Sequence, residues 1–152
     1  MSCRILISAC LIGIPCRYDG RAALSVPAGR LSNRCDLIPI CPEQLGGLPT
    51  PRTPAECSEG RVLTAEGNDV TAPFERGAAC ALQIARYCGA NAALLKARSP
   101  SCGSGQIYDG TFSGTLTGGN GITARLLRDN GIEVFDEEHI DDLLCWIDSN
   151  QR

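Results

Sequence analysis

The stretch Arg4-Ile5-Leu6-Ile7-Ser8-Ala9-Cys10 centres on an unbroken apolar run, Ile5-Leu6-Ile7, and shows no alternation of polar and apolar residues. A strand with one wet face alternates with period two, whereas an unbroken run marks a strand covered on both faces, as in a parallel sheet between layers of helices. Residues 36–41 (DLIPIC) and 91–98 (NAALLKAR) read as further strands, and residues 132–135 (IEVF) as a fourth. Pro39 cannot donate to a ladder, so the second strand is expected at an edge or with a local irregularity.

Helical periods separate these strands. Phe74, Ala78, Ala81, Ile84, Ala85 and Cys88 recur at helical spacing, with Thr71 read as the N-cap, Pro73 and Glu75 in the first turn and Gly89 as the stop. Residues 118–121 (GGNG) open a second helix through Ile122, Leu126 and Leu127 that ends at Asn130-Gly131. Asp136 caps a third, with Glu137 and Glu138 at its positive end and a buried stripe of Ile140, Leu143, Leu144 and Ile147. A short helix over 25–33 is weakened by Pro27 and Gly29. Residues 11–20, 42–54 and 99–105 read as loops, 60–69 as an extended excursion with a Gly67-Asn68 turn, and 108–119 as a short hairpin or ordered flap. Strands alternating with helices give one doubly wound, Rossmann-like α/β domain over residues 1–152, with a mainly parallel sheet and helices on both faces.

The composition is that of a soluble globule: 43% hydrophobic and 20% charged residues, with a net charge of −3. No Lys/Arg run favours a long nucleic acid, though a single nucleotide remains open as a partner. No signal peptide or membrane-spanning stretch is read, so a cytoplasmic protein is expected. Ten cysteines are many, yet no two are separated by just two residues. That argues against zinc ribbons, thioredoxin-type redox motifs and ferredoxin-type runs.

Cys10, Cys41 and Cys102 each end or closely follow a strand. In an open parallel sheet, ligands sit beyond the carboxyl ends of the strands. Three thiols meeting there describe a metal site with an open position, against the ordinary alternative of small buried hydrophobes. Cys3, Cys35, Cys80, Cys88 and Cys145 are read as structural, with Cys80 and Cys88 on a packed helix face; Cys16 and Cys57 stay open. Glu43, two residues past Cys41, is a general acid/base candidate or a solvated loop residue. Ser99 and Ser101 either hold a substrate atom or satisfy turn backbone. Ser104, Gly105, Gly119, Gly121 and Thr123 lie where a phosphate would meet a helix start. Lys96 and Arg98 are substrate contacts or salt-bridged edge residues, and His139 is read as a surface residue.

The blocks Ser8-Ala9-Cys10-Leu11-Ile12-Gly13, Cys16-Arg17-Tyr18-Asp19-Gly20, Cys41-Pro42-Glu43-Gln44-Leu45-Gly46-Gly47-Leu48-Pro49, Ser99-Pro100-Ser101-Cys102-Gly103-Ser104-Gly105 and Tyr108-Asp109-Gly110-Thr111-Phe112-Ser113-Gly114 occur in this order. Together they resemble the thiouracil desulfidase family over nearly the whole chain, without the added C-terminal domain of its tRNA-directed relatives. The resemblance implies a 4Fe-4S cluster bound by only three cysteines, Cys10, Cys41 and Cys102, with Glu43 as catalytic carboxylate and a catalytic serine that is Ser99 or Ser101. It implies a non-redox, hydrolytic removal of sulfur from 4-thiouracil, 2-thiouracil or 4-thiouridine monophosphate, a small-molecule partner. Cys16 is the departure: as a fourth ligand it would close the open site. The alternatives are a sulfurtransferase carrying a persulfide on Cys102 and a non-catalytic nucleotide- or metal-sensing module. Oligomeric state is not legible.

Overall fold

The computed structural model describes residues 3–26 and 28–150. Its elements run β1 (Cys3–Ser8), α1 (Ala28–Leu31), β2 (Cys35–Ile40), α2 (Pro42–Leu45), β3 (Ala55–Ser58), β4 (Arg61–Thr64), α3 (Thr71–Cys88), β5 (Ala92–Leu95), β6 (Gln106–Tyr108), β7 (Leu116–Gly118), α4 (Ile122–Asp129), β8 (Glu133–Asp136) and α5 (Ile140–Asn150). Four strands form an all-parallel sheet in the order β2-β1-β5-β8. The run that opened the sequence is central: Ile5, Leu6 and Ile7 are fully buried. Ile5 and Ile7 pack on one face with Leu31 of α1 and Ile140, Leu143 and Ile147 of α5. Leu6 packs on the other with Ala81 and Ala85 of α3 and Ala124 and Leu127 of α4. Helices therefore flank both faces, as the unbroken apolar run requires.

β2 is an edge strand, which accounts for Pro39 within it. From β1 the chain moves outward to β2, then returns to the opposite side of β1 at β5. Such a reversal of strand order opens a crevice beyond the carboxyl ends of β1 and β5.

Several local expectations change. The first strand stops at Ser8, and Ala9–Ile12 form a tight helical turn that carries Cys10. The region 42–54 is not loop throughout, because Pro42 starts the single-turn helix α2, where a fixed φ and a missing N–H cost nothing. The expected helix over 25–33 shrinks to Ala28–Leu31; Pro27 lies outside the described residues. The excursion is a β3–β4 hairpin reversing at Glu59-Gly60, both left-handed, with a further turn at Gly67. Thr71 is not the N-cap: Val70 holds that position, and the Thr71 hydroxyl accepts from the Val62 N–H at 2.8 Å. Asp136 caps the final helical segment as expected, accepting from the Glu138 N–H at 2.9 Å. The flap is the β6–β7 hairpin.

Candidate active site

The crevice at the strand ends holds a cavity of about 420 Å³. Cys10, Cys41 and Cys102 all line it, as do Cys16, Glu43 and Ser99. Cys10 arrives on the turn after β1, Cys41 at the start of α2, and Cys102 on the loop after β5. All ten cysteines are free thiols. Burial pushes the Cys10 thiol up to about 11 and Cys102 up to about 12, the latter opposed by a hydrogen bond from Ser8. Burial, reinforced by Cys41 and Cys10, pushes Cys16 up to about 12. Such thiols stay protonated in neutral water unless a metal charge replaces the proton.

Among the described residues no three His, Cys, Asp or Glu side chains close around a single ion. Thiols distributed around a cavity fit a polynuclear centre, in which each thiolate takes a different metal atom, better than a mononuclear zinc site.

Arg52 organises the carboxylate side, and sequence reasoning missed it because it sits in a Pro-rich segment with no motif. Its guanidinium is almost completely buried and Nε donates to Glu43 Oε1 at 3.0 Å. Its other nitrogens donate to the Thr50 hydroxyl at 2.9 Å and the Cys16 carbonyl at 2.9 Å. Glu43 is thus no free loop residue: its side chain is 18% exposed and fixed in the cavity wall. Cys16 also has its carbonyl 3.7 Å from the Cys41 thiol, which donates to it.

The two serines part company. Ser99 lines the cavity, and its Oγ accepts the N–H groups of Ser101 and Cys102, each at 3.0 Å. A hydroxyl has two acceptor lone pairs and one donor, so Ser99 retains its O–H to donate. Ser101 is fully buried, outside the cavity lining, with its hydroxyl 2.8 Å from that of Thr123.

The residues expected to bind phosphate do not line this cavity. The first amides of α4 are consumed by the Cys102 loop: Ile122 N–H donates to the Pro100 carbonyl, and those of Thr123 and Ala124 to the Ser101 carbonyl. Gly121 N–H donates to the Gly103 carbonyl and Gly119 N–H to the Gly105 carbonyl. Gly105 N–H is taken by the Asn120 side chain, and Ser104 accepts from Arg128. This helix start therefore supports a cysteine loop rather than an anion. Lys96 and Arg98 line the cavity but are paired, with Glu137 at 2.8 Å and Glu138 at 2.7 Å. His139 is on the surface, its ring 2.7 Å from Asp136. Cys80, expected in a packed face, is exposed.

Comparison with known proteins adds three findings. The family model for 2-thiouracil desulfurase matches residues 5–139. The uncharacterized protein YbbK of Bacillus subtilis (strain 168) is 45% identical over 150 residues, 92% of this chain and 99% of that protein. The solved structure of the 4Fe-4S-dependent thiouracil desulfidase TudS superposes with a TM-score of 0.90 at 45% identity, covering 96% of this chain and 98% of that one.

Proposed function

The chain belongs to the 2-thiouracil desulfurase family, and on that premise we propose that it is a desulfidase that hydrolyses a thiolated uracil with a 4Fe-4S cluster held by Cys10, Cys41 and Cys102. The observation that carries the reading is the single cavity shared by these three thiols, Glu43 and Ser99. When bound, the cluster supplies an iron without a protein ligand, a Lewis acid with affinity for a soft thiocarbonyl sulfur.

The remaining work falls to the chain's own side chains. Arg52 fixes one oxygen of Glu43, and Oε2 accepts no hydrogen bond from the described residues. That oxygen takes a proton from water as the water oxygen bonds to the ring carbon bearing sulfur. The C–S bond then breaks, and sulfur leaves with a proton as hydrosulfide. Ser99, its lone pairs engaged by backbone, donates its O–H to the polarised substrate atom. Thiolated uracil and water give uracil and hydrogen sulfide, with no net electron transfer. Residues 1–152 act as one domain on 4-thiouracil, 2-thiouracil or 4-thiouridine monophosphate, in a cytoplasm reducing enough to keep the thiols free.

Cys102 does not suit the persulfide alternative. It is 6% exposed with a thiol pushed up to about 12 by burial, the opposite of an activated nucleophile.

Anaerobic reconstitution tests the reading. The wild-type protein should take up about four irons per chain, turn brown and release sulfide from 4-thiouracil. Glu43→Gln should keep its iron and visible band but lose roughly 100-fold or more in kcat. A protein that stays colourless and iron-free after reconstitution rules the reading out.

A further inference from the structure

Among the cavity-lining side chains that take no part in the proton transfer is Phe112, on the connection between β6 and β7. It is 39% exposed, and its backbone is left-handed with φ +56°. A bulky L-residue rarely adopts that conformation, and it persists only where surrounding structure imposes it.

The surroundings do impose it. Glu56 Oε1, on β3, accepts the N–H of Gly110 at 3.0 Å and of Phe112 at 3.1 Å. Asp109 accepts from the Thr111 N–H at 2.9 Å and from the Thr111 hydroxyl at 2.6 Å. The hydroxyls of Thr111, Ser113 and Thr115 follow one another at 2.6 and 2.8 Å. Asp109 N–H closes the loop on the Thr115 carbonyl at 3.0 Å. The tip is thus a rigid presentation device. Core packing does not explain it, because the ring it presents stays partly in solvent, on a cavity that Tyr18 and Tyr108 also line.

An exposed aromatic ring held on strained backbone over a cavity is completed by a flat π-system, which stacks on ring faces with little regard to its hydrogen-bonding edge. We propose that Phe112 is the stacking residue that selects a planar pyrimidine ring, and that Glu56 is the positioning residue that holds it over the cavity. The proposal rests on the desulfidase reading for its substrate but makes its own demand on binding.

The test uses anaerobically reconstituted holoprotein, with KM and kcat for 4-thiouracil, the Kd for uracil by equilibrium dialysis, iron content and Tm. Phe112→Gly should raise KM and the uracil Kd about 10-fold, as expected for loss of one stacked base. Its iron content and kcat should be unchanged, and its Tm equal or higher, since glycine tolerates left-handed backbone. Phe112→Tyr should bind like wild type. Glu56→Ala should raise KM as Phe112→Gly does, although its side chain does not stack. Glu56→Gln, which keeps the acceptor oxygen, should restore it. Wild-type KM and uracil Kd in Phe112→Gly would overturn the stacking role; an unchanged KM in Glu56→Ala would overturn the positioning role. Wild-type KM and uracil Kd in every variant, with sulfide still released, sinks this inference and leaves the desulfidase reading intact. A wild-type holoprotein that binds uracil through Phe112 but releases no sulfide sinks the desulfidase reading instead.

Discussion

Ser99 and Ser101 are identical in type and two residues apart, yet their surroundings oppose each other. Ser99 reaches the cavity and keeps a donor; Ser101 is sealed against Thr123. Ser101→Ala strands the buried Thr123 hydroxyl and should destabilise the protein by about 1–3 kcal/mol, with turnover per folded, iron-loaded molecule unchanged. Ser99→Ala should lower kcat with iron retained. Thermal melts alongside steady-state kinetics on both variants check the assignment, and the reverse pattern would exchange the roles. Neither assignment was legible in the chain, because Ser-Pro-Ser carries no mark of which hydroxyl turns inward. Arg52 was equally silent: nothing near it in sequence announces that Glu43 and the Cys16 carbonyl converge on its guanidinium.

At the level of elements, the cavity wall that carries Cys41 and Glu43 depends on how α2 sits on α3. The two meet at glycines. A Cβ on Gly77 would lie 1.8 Å from the Pro42 carbonyl oxygen, and one on Gly46 would lie 1.9 Å from that of Pro73. Backbone against backbone leaves no soft side chain to yield. Gly77→Ala must therefore push α2 away, carrying Cys41 and Glu43 with it. The expected outcome is a loss of about 1–3 kcal/mol together with impaired iron uptake, whereas Gly67→Ala, in open space at a remote turn, should leave iron uptake intact. Iron content after parallel reconstitution separates the two. The long helix periods and the β6–β7 flap could be anticipated as local patterns, whereas α2 and the β3–β4 reversal at Glu59-Gly60 could not. The glycine contact joins residues about thirty positions apart with no local signature. The same holds at α4, whose Gly-rich start resembles a phosphate site until the carbonyls of residues 100–103 are seen to occupy its amides.

For the whole molecule, the sheet and its two packed faces contain the stability, and the cavity sits at their rim. The packed residues on both faces are mostly aliphatic, so the expected outcome is a chain that folds without a metal. A cluster binding only the native arrangement still stabilises it by mass action. Removing iron with an anaerobic chelator should lower Tm by about 5 °C or more while far-UV circular dichroism keeps its native shape. Loss of the dichroism signal on iron removal would show instead that the metal organises the fold. No helix among the described residues is long and apolar enough to cross a membrane.

The unbroken run at Arg4–Cys10 determined a parallel sheet buried on both faces, since only helices above and below leave a strand no wet side. Placing Cys10, Cys41 and Cys102 after strands determined that they would end at one edge, because parallel strands share a direction. The tertiary structure decided which neighbours met them there. Arg52 on the Cys16 carbonyl, Glu56 beneath the Phe112 backbone, and Glu43, Ser99 and Phe112 on one cavity are encounters between segments far apart in the chain. A strand's burial is written in its own period, whereas the partner of a side chain is set by where distant segments come to rest.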